Sequence, residues 1–303
     1  MKLQYHTGKN FGDQLNPLIF DHYLPGYFNH ENGYVFMGIG SILGFHDKYE
    51  GKKIVFSSGY DAGLPSTYGS LPESLESFDF ICVRGPKTAK LLGLDQESAV
   101  TDGAILLKDI VKKDNIKKYK VSFMPHVGSE EFYDHQLLCE ALGWQFISPK
   151  WDVEVVLSMI QESECVITEA MHGAIVADTL RVPWMPYQGF KTIGTFKWQD
   201  WCESMKLNYE PFILTPYFSL EKTRELVHRK LKGLSLGFLT SLICAILQIR
   251  NRYVWSKNLG LLKQQFSTGK FYLSSETVFD EKHQEMLQKL EEFKKRYPVN
   301  QFG

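Results

Sequence analysis

Apolar, often β-branched runs alternate with segments of helical periodicity along most of the chain. The runs are short and end at glycine, proline or a polar corner, whereas the intervening segments carry apolar residues three or four positions apart. This alternation is typical of a parallel sheet whose strands are joined by helices, so we predict an α/β fold. The predicted strands cover 2–5, 34–37, 54–56, 79–83, 121–124, 145–148 and 166–168.

The segment 166–186 has the clearest pattern, a strand, a helix and a second strand. A β-branched run ends at a polar corner, and an apolar helix follows and stops before Pro183, which opens the next strand. In such a unit, functional groups collect at the carboxyl end of the strand and in the first helical turn. Glu169, His172 and Gly173 occupy that place, which suits an anion such as phosphate or carboxylate. The alternative is that His172 merely caps its own helix.

Two further strand ends carry groups that suit an anion. Arg84 follows the strand 79–83 and precedes a helix with Pro86 at its first position, so its guanidinium offers a bidentate fork to carboxylate or phosphate. An ordinary surface salt bridge is the alternative for Arg84. Gly40 and Ser41 follow the second strand, where glycine allows backbone N–H groups to approach a phosphate.

Amide and carboxylate side chains collect at other corners. Asn10, Asp13 and Asn16 lie in and just after the loop that follows the first strand. They suit either turn chemistry with an N-cap or recognition of hydroxyl groups in a sugar or nucleotide, and both interpretations stay open. Asp102 occupies a further turn, and His126 ends the first strand of the second half, where a cleft between two domains would be lined.

The length of 303 residues predicts two domains, because a single hydrophobic core rarely grows beyond about 250–300 residues. A lysine-rich run at 108–120 has the composition of a solvated linker, so we place the domain boundary there. We expect domains at 1–118 and 119–215, followed by a helical C-terminal extension at 216–303. The last predicted helix carries an apolar stripe that indicates packing, at Met286, Leu287, Leu290, Phe293 and Tyr297.

Charge and cysteine content exclude some classes of function. Lys+Arg 34 against Asp+Glu 35 leaves a formal net charge of −1, so no basic bias indicates a nucleic-acid partner. The five cysteines are scattered through apolar patterns without the spacing of a zinc site or a disulfide framework. We therefore expect a reducing compartment and no metal.

One apolar segment, 234–249, bears on membranes. Polar residues interrupt it, and it is shorter than the roughly 20 residues that a spanning helix needs, so we expect a docking or membrane-surface helix. Flanking basic residues suit contact of 229–252 with an anionic lipid surface, and a buried helix with a solvated basic end is the alternative. Because the first residues lack the apolar core of a signal peptide, we expect a cytoplasmic protein, at the inner face of the membrane if this segment binds lipid.

Six short motifs, taken in order, resemble those of the polysaccharide pyruvyl transferase family. The resemblance spans about residues 5 to 190 and is closest to the bacterial exopolysaccharide branch. Many relatives have an arginine two residues before the histidine of the last motif, where this chain has Ala170. The motifs are NFGDQLN at 10–16, GIGS at 38–41, VRGP at 83–86, TDGA at 101–104, MPH at 124–126 and TEAMHGA at 168–174.

The resemblance implies two Rossmann-like domains in a glycosyltransferase-B-like arrangement with a cleft between them. It also implies phosphoenolpyruvate as the donor, with no further cofactor, and a pair of hydroxyls on a sugar or lipid-linked oligosaccharide as the acceptor. The product would be a cyclic pyruvate ketal. Because Ala170 replaces the arginine, anion binding would depend more on Arg84 and on the helix terminus.

The chemistry of this reaction suggests roles for the candidate residues. His172 suits the proton-transfer steps, and Glu169 would orient it or take a hydroxyl proton. Arg84 would hold the negative charge of the donor. The remaining expected donor-binding groups are His172, Gly173, Gly40 and Ser41, and the expected acceptor-binding groups are Asn10, Asp13, Asn16, Asp102 and His126.

Two other functions fit the same pattern. A nucleotide-sugar glycosyltransferase uses a similar two-domain cleft with a glutamate at a strand-to-helix corner of its second domain. A non-catalytic subunit of glycan assembly would use the basic, apolar segment around Ile243 for docking and would bind no donor.

Overall fold

The computed structural model confirms the predicted α/β class, with two parallel sheets and C-terminal helices. Both sheets are built from strands that alternate with helices, as the apolar pattern predicts. The glycosyltransferase-B-like arrangement and the domain boundaries remain predictions. The described residues are 1–28, 33–48, 50–112, 116–131, 133–189, 194–218, 220–230 and 237–299.

The first sheet has four parallel strands in the order β1-β2-β3-β4. Pro86 occupies the first turn of α3, and Gly93 ends that helix with a φ of 67°, so the helix begins and ends at the residues that the sequence predicted. The strands are β1 Lys2–Gln4, β2 Tyr34–Met37, β3 Lys52–Phe56 and β4 Phe78–Cys82. The helices of this half are α1 Phe11–Tyr23, α2 Pro65–Tyr68, α3 Pro86–Leu92 and α4 Leu107–Ile110.

The second sheet has five parallel strands in the order β6-β5-β7-β8-β9. The predicted strand, helix and strand of 166–186 are β7, α8 and β8, and β7 pairs with β8 in parallel. The strands are β5 Ser122–Met124, β6 Gln145–Phe146, β7 Val166–Thr168, β8 Trp184–Gln188 and β9 Phe212–Ile213. The helices are α5 Val127–Glu130, α6 His135–Leu142, α7 Val153–Gln161, α8 Met171–Thr179 and α9 Thr195–Ser204.

Three helices complete the chain, α10 Leu220–Lys230, α11 Gly237–Thr268 and α12 Glu276–Arg296. α12 returns to the first half of the chain, where the ring of Phe293 lies 5.2 Å from that of Phe36 and 5.3 Å from that of Tyr27. The predicted packing role of its apolar stripe is confirmed, because Phe293 and its apolar neighbours on this face are buried.

One hydrophobic cluster joins the two halves. It contains Phe36 and Phe56 of the first sheet together with Met124 and Val166 of the second. The two sheets are therefore held by a shared core, which fixes the loops at their carboxyl ends relative to each other.

No helix within the described residues has the length and apolar character needed to cross a membrane. Part of the expected lipid-contacting segment, 231–236, lies outside the described residues.

Candidate functional site

A cavity of about 690 Å³ opens where the carboxyl ends of strands from both sheets face each other. Loops after β1 and β2 form one wall, and loops after β5 and β7 form the other. This is the place where ligands bind in open α/β sheets. The lining residues are 5–13, 40–42, Phe45, Lys48, Thr67 and Tyr68 from the first half, and Met124, His126, Val127, Pro149, 170–172 and Lys197 from the second.

His172 lies in the first turn of α8, as predicted, and is largely buried at the cavity wall. Its Nε2 points away from solvent and lies 3.5 Å from Oδ2 of Asp102, an ion-pair distance that is longer than a good hydrogen bond. The other oxygen of Asp102 accepts a hydrogen bond from the N–H of Ala104 and caps the turn, so the carboxylate is fixed. A fixed carboxylate therefore faces the buried nitrogen of the imidazole.

Gly12 allows the two halves of the chain to meet at His172. A Cβ placed on Gly12 would lie 2.1 Å from Nδ1 of His172, closer than any real contact. Because the first turn of α1 must pass directly over the imidazole, position 12 accepts only glycine without displacing the ring.

Lys197 supplies a buried positive charge in the cavity. It lies in the first turns of α9, and its Nζ donates a hydrogen bond of 2.8 Å to the hydroxyl of Tyr68. Burial raises the pKa of Asp61 and of Asp13, and the positive charge of Lys197 partly offsets both shifts. A lysine has three N–H donors, so this ammonium can bind an anion in the cavity while keeping Tyr68.

His126 is held neutral. Burial and, to a smaller extent, the nearby charge of Lys197 together lower its pKa to about 3. Its Nδ1 accepts a hydrogen bond of 3.1 Å from the N–H of Gly128, which places the ring proton on Nε2. His126 therefore offers the cavity a neutral N–H donor.

Asp13 also lines the cavity, with a carboxyl whose pKa is raised by burial despite the opposing charge of His172. Asn10 occupies the N-cap position of α1, but its side chain donates a hydrogen bond to Asp13 and makes no capping hydrogen bond. Gly40 lies next to Asp13 and has a φ of 128°, a conformation that favours glycine.

Arg84, which the sequence suggested as a direct contact for an anion, does not line the cavity, and that role stays a prediction. Its side chain is fully buried, and its nitrogens donate to Asp200, to Ser41 and to the carbonyl of Tyr60 at 3.1, 2.9 and 2.8 Å. Asp200 also accepts from the backbone N–H and hydroxyl of Thr88, so the ion pair is fully embedded. Arg84 instead fixes Ser41, which lines the cavity.

Glu169 and Gly173 do not face the cavity either. Glu169 is fully buried and accepts hydrogen bonds from the N–H groups of Gly189 and His126, at 2.7 and 3.2 Å, and from the hydroxyl of Ser129. It thereby ties together the ends of β5, β7 and β8. The N–H of Gly173 bonds to the carbonyl of Ala170 at 2.9 Å and is not available to a ligand. The carboxylate that faces His172 is that of Asp102.

Asn16, expected on the acceptor side, is structural. Its side-chain amide accepts from the N–H of Ile39 at 2.8 Å and donates to the carbonyls of Ile39 and Asp13. It is fully buried and holds the turn that carries Gly40.

Lys197 is not among the residues predicted for the site, although the helical pattern around it indicates that it is buried. Positions 197, 201 and 204 share one helical face, and two of them are Trp201 and Ser204, both buried. A lysine on such a face is seldom buried without a partner or a function.

The chain is similar to a known protein and to a family model. The succinoglycan biosynthesis protein ExoV of Rhizobium meliloti (strain 1021) is 34% identical over 206 residues, which is 67% of this chain and 63% of the relative. The match thus spans less than two thirds of that relative. The family model described as polysaccharide pyruvyl transferase matches residues 24–187, which include Arg84, Asp102, His126 and His172. The chain therefore belongs to the polysaccharide pyruvyl transferase family.

Proposed function

We propose that the protein transfers pyruvyl from phosphoenolpyruvate to two hydroxyls of a sugar in an exopolysaccharide or its lipid-linked precursor. The observation that carries the proposal is the convergence of the His172–Asp102 pair and Lys197 on one cavity between the sheets. Phosphoenolpyruvate is small and multiply anionic, so its site needs a buried cation, N–H donors and a proton-transfer group together. Membership of the pyruvyl transferase family supports the same reaction.

The donor would bind against Lys197, which takes the part that the sequence suggested for Arg84. The N–H groups of Met171 and His172 open α8 at the cavity and are helix-terminal donors suited to phosphate or carboxylate. The Ser41 hydroxyl, fixed by Arg84, adds a third kind of donor. These groups offset the loss of the arginine at position 170.

The proton steps would centre on His172. Because Nε2 faces Asp102, Nδ1 of the imidazole would deliver a proton to the methylene carbon of phosphoenolpyruvate. This makes C2 electrophilic, and a sugar hydroxyl adds to C2. The C–O bond to phosphate then breaks, and the neighbouring hydroxyl closes the ketal. The protons released by the two hydroxyls end on the new methyl group and on the phosphate. Asp102 would stabilise the protonated imidazole, the orienting role that the sequence suggested for Glu169.

The acceptor would face Asp13, Asn10 and His126. A carboxyl with a raised pKa exchanges protons nearer to neutrality than an ordinary aspartate, so Asp13 is the candidate base for a sugar hydroxyl. The neutral N–H of His126 and the amide of Asn10 suit hydroxyl recognition.

The test is release of inorganic phosphate from phosphoenolpyruvate in the presence of a panel of α- and β-hexosides. We expect acceptor-dependent phosphate release and a product mass higher than the acceptor by one pyruvyl ketal. In parallel, thermal shift should respond to phosphoenolpyruvate and not to UDP- or GDP-sugars. A response to nucleotide sugars alone would favour glycosyl transfer, and no response to any donor would favour a non-catalytic subunit.

A further inference from the structure

We propose that the outer face of α11 lies on an anionic lipid surface, through four exposed apolar residues that we call the outer stripe. These are Leu242, Ile246, Ile249 and Tyr253, with exposed fractions of 47%, 59%, 71% and 72%. Burial of large apolar side chains is the default in folded proteins, and a contiguous exposed set marks an interaction surface.

The outer stripe is one continuous surface. At 3.6 residues per turn, its four positions fall within about 60° of one another around the helix axis. The opposite side of α11 is packed against the second half of the protein, where Val254 and Leu262 are buried. α11 is therefore apolar on two sides, and packing within the chain explains only one of them.

Basic residues line both edges of the outer stripe. Arg250 and Arg252 lie about 70° and 90° from its centre on opposite sides, and Lys257 lies about 50° from its centre on the side of Arg250. All three are exposed. Between Leu226 and Ser275 the sequence has eight Lys or Arg and neither Asp nor Glu, in a chain whose formal net charge is −1. Four of the eight lie in α11 itself, so the helix that exposes apolar side chains carries a net positive charge.

This combination favours a bilayer over a second copy of the chain. Two copies meeting at the outer stripe would bring their arginines together, and this segment has no carboxylate to pair with them. An anionic bilayer supplies negative charge along both edges and accepts the apolar residues between the headgroups. Tyr253 at one end suits the interface, where its ring is apolar and its hydroxyl is wet. Contact along one face fits a helix that lies on a membrane rather than crossing it.

The experiment measures flotation of the full chain with vesicles of phosphatidylcholine, with or without about one third phosphatidylglycerol. We expect binding to the phosphatidylglycerol vesicles, binding at least about tenfold weaker to phosphatidylcholine alone, and release in molar salt. Replacing two flanking bases, Arg252→Gln with Lys257→Gln, should weaken binding about tenfold or more, since each contributes about fivefold near such a surface.

The apolar half of the proposal is tested with Ile246→Ser combined with Ile249→Ser, which should remove most of the binding. Ile213→Ser is the matched control, because Ile213 is 60% exposed at the edge of the second sheet. It should bind like the unchanged protein, and thermal unfolding checks that each variant is folded. The proposal would be overturned by equal binding to both vesicle types, by no binding, or by full binding of the variant with Ile246→Ser and Ile249→Ser. It would also be overturned if the protein bound no lipid and formed a dimer in sedimentation velocity that this variant dissociates. The readout is lipid binding and not turnover, so it is independent of the proposed function.

Discussion

Replacing Lys197 by Met removes the buried charge of the cavity while keeping most of the length of the side chain. Lys197 is buried, and its ammonium is held by Tyr68 at the cavity wall. If it binds the donor, the substitution removes a charge-assisted hydrogen bond, which contributes about 1.5–3 kcal/mol. That free energy corresponds to a Kd for phosphoenolpyruvate that is about 10- to 150-fold higher.

Lys48→Met is the control, because Lys48 lines the same cavity but is exposed, with its Nζ 4.4 Å from the ring centre of Phe45. Exposed charges are screened by water and contribute about 0–1 kcal/mol, so its Kd should rise by less than about fivefold. Calorimetric titration with phosphoenolpyruvate measures both values, and circular dichroism confirms that the variants are folded. Equal effects of the two substitutions, or an unchanged Kd in Lys197→Met, would refute the assignment of Lys197.

Three further predictions test the site and its electrostatics. His172→Asn should lower kcat by about 10²- to 10⁴-fold with an unchanged unfolding temperature. Adding Asp102→Asn should lower kcat little further, because the effects of residues that act as one unit are not additive. Full additivity of the two substitutions in the phosphate-release assay would contradict the pairing. Asp13→Asn should stabilise the protein at neutral pH by about 0.5–2 kcal/mol while reducing turnover, which is the usual trade-off between stability and activity at active sites. The raised pKa of Asp13 means that its ionisation costs more in the folded state, so the gain in stability from Asp13→Asn should shrink as the pH falls through that pKa. A gain that does not depend on pH in urea titrations would exclude this cause. His135 is fully buried, and burial lowers its pKa to about 3 from 6.5, so the folded state binds fewer protons than the unfolded state below pH 6.5. His135 should therefore lower the free energy of unfolding by about 2 kcal/mol at pH 5. His135→Phe should remove this loss. If the variant lost as much stability in acid as the unchanged protein, the explanation would be excluded.

The local pattern of the sequence predicts the elements well. The strand, helix and strand of 166–186, the limits of α3 and the packed stripe of α12 all follow from periodicity and from proline and glycine at helix ends. These features depend on residues a few positions apart, which is the range over which sequence patterns carry information.

The partners of buried polar groups could not be predicted in the same way. Arg84 finds Asp200, 116 positions away, and that pairing turns an expected ligand-binding group into a structural one. The carboxylate behind His172 likewise comes from Asp102 in the other half of the chain, and not from the adjacent Glu169. Sequence patterns indicate which strand ends carry polar groups, but packing between the halves decides which of those groups are left to face a ligand.

The return of α12 to the first sheet sets an order on biosynthesis. Phe36 leaves the ribosome 257 residues before Phe293, whose ring packs against it. The first sheet must therefore wait, with an apolar flank uncovered, until α12 has been synthesised, and during that interval this flank is exposed to aggregation.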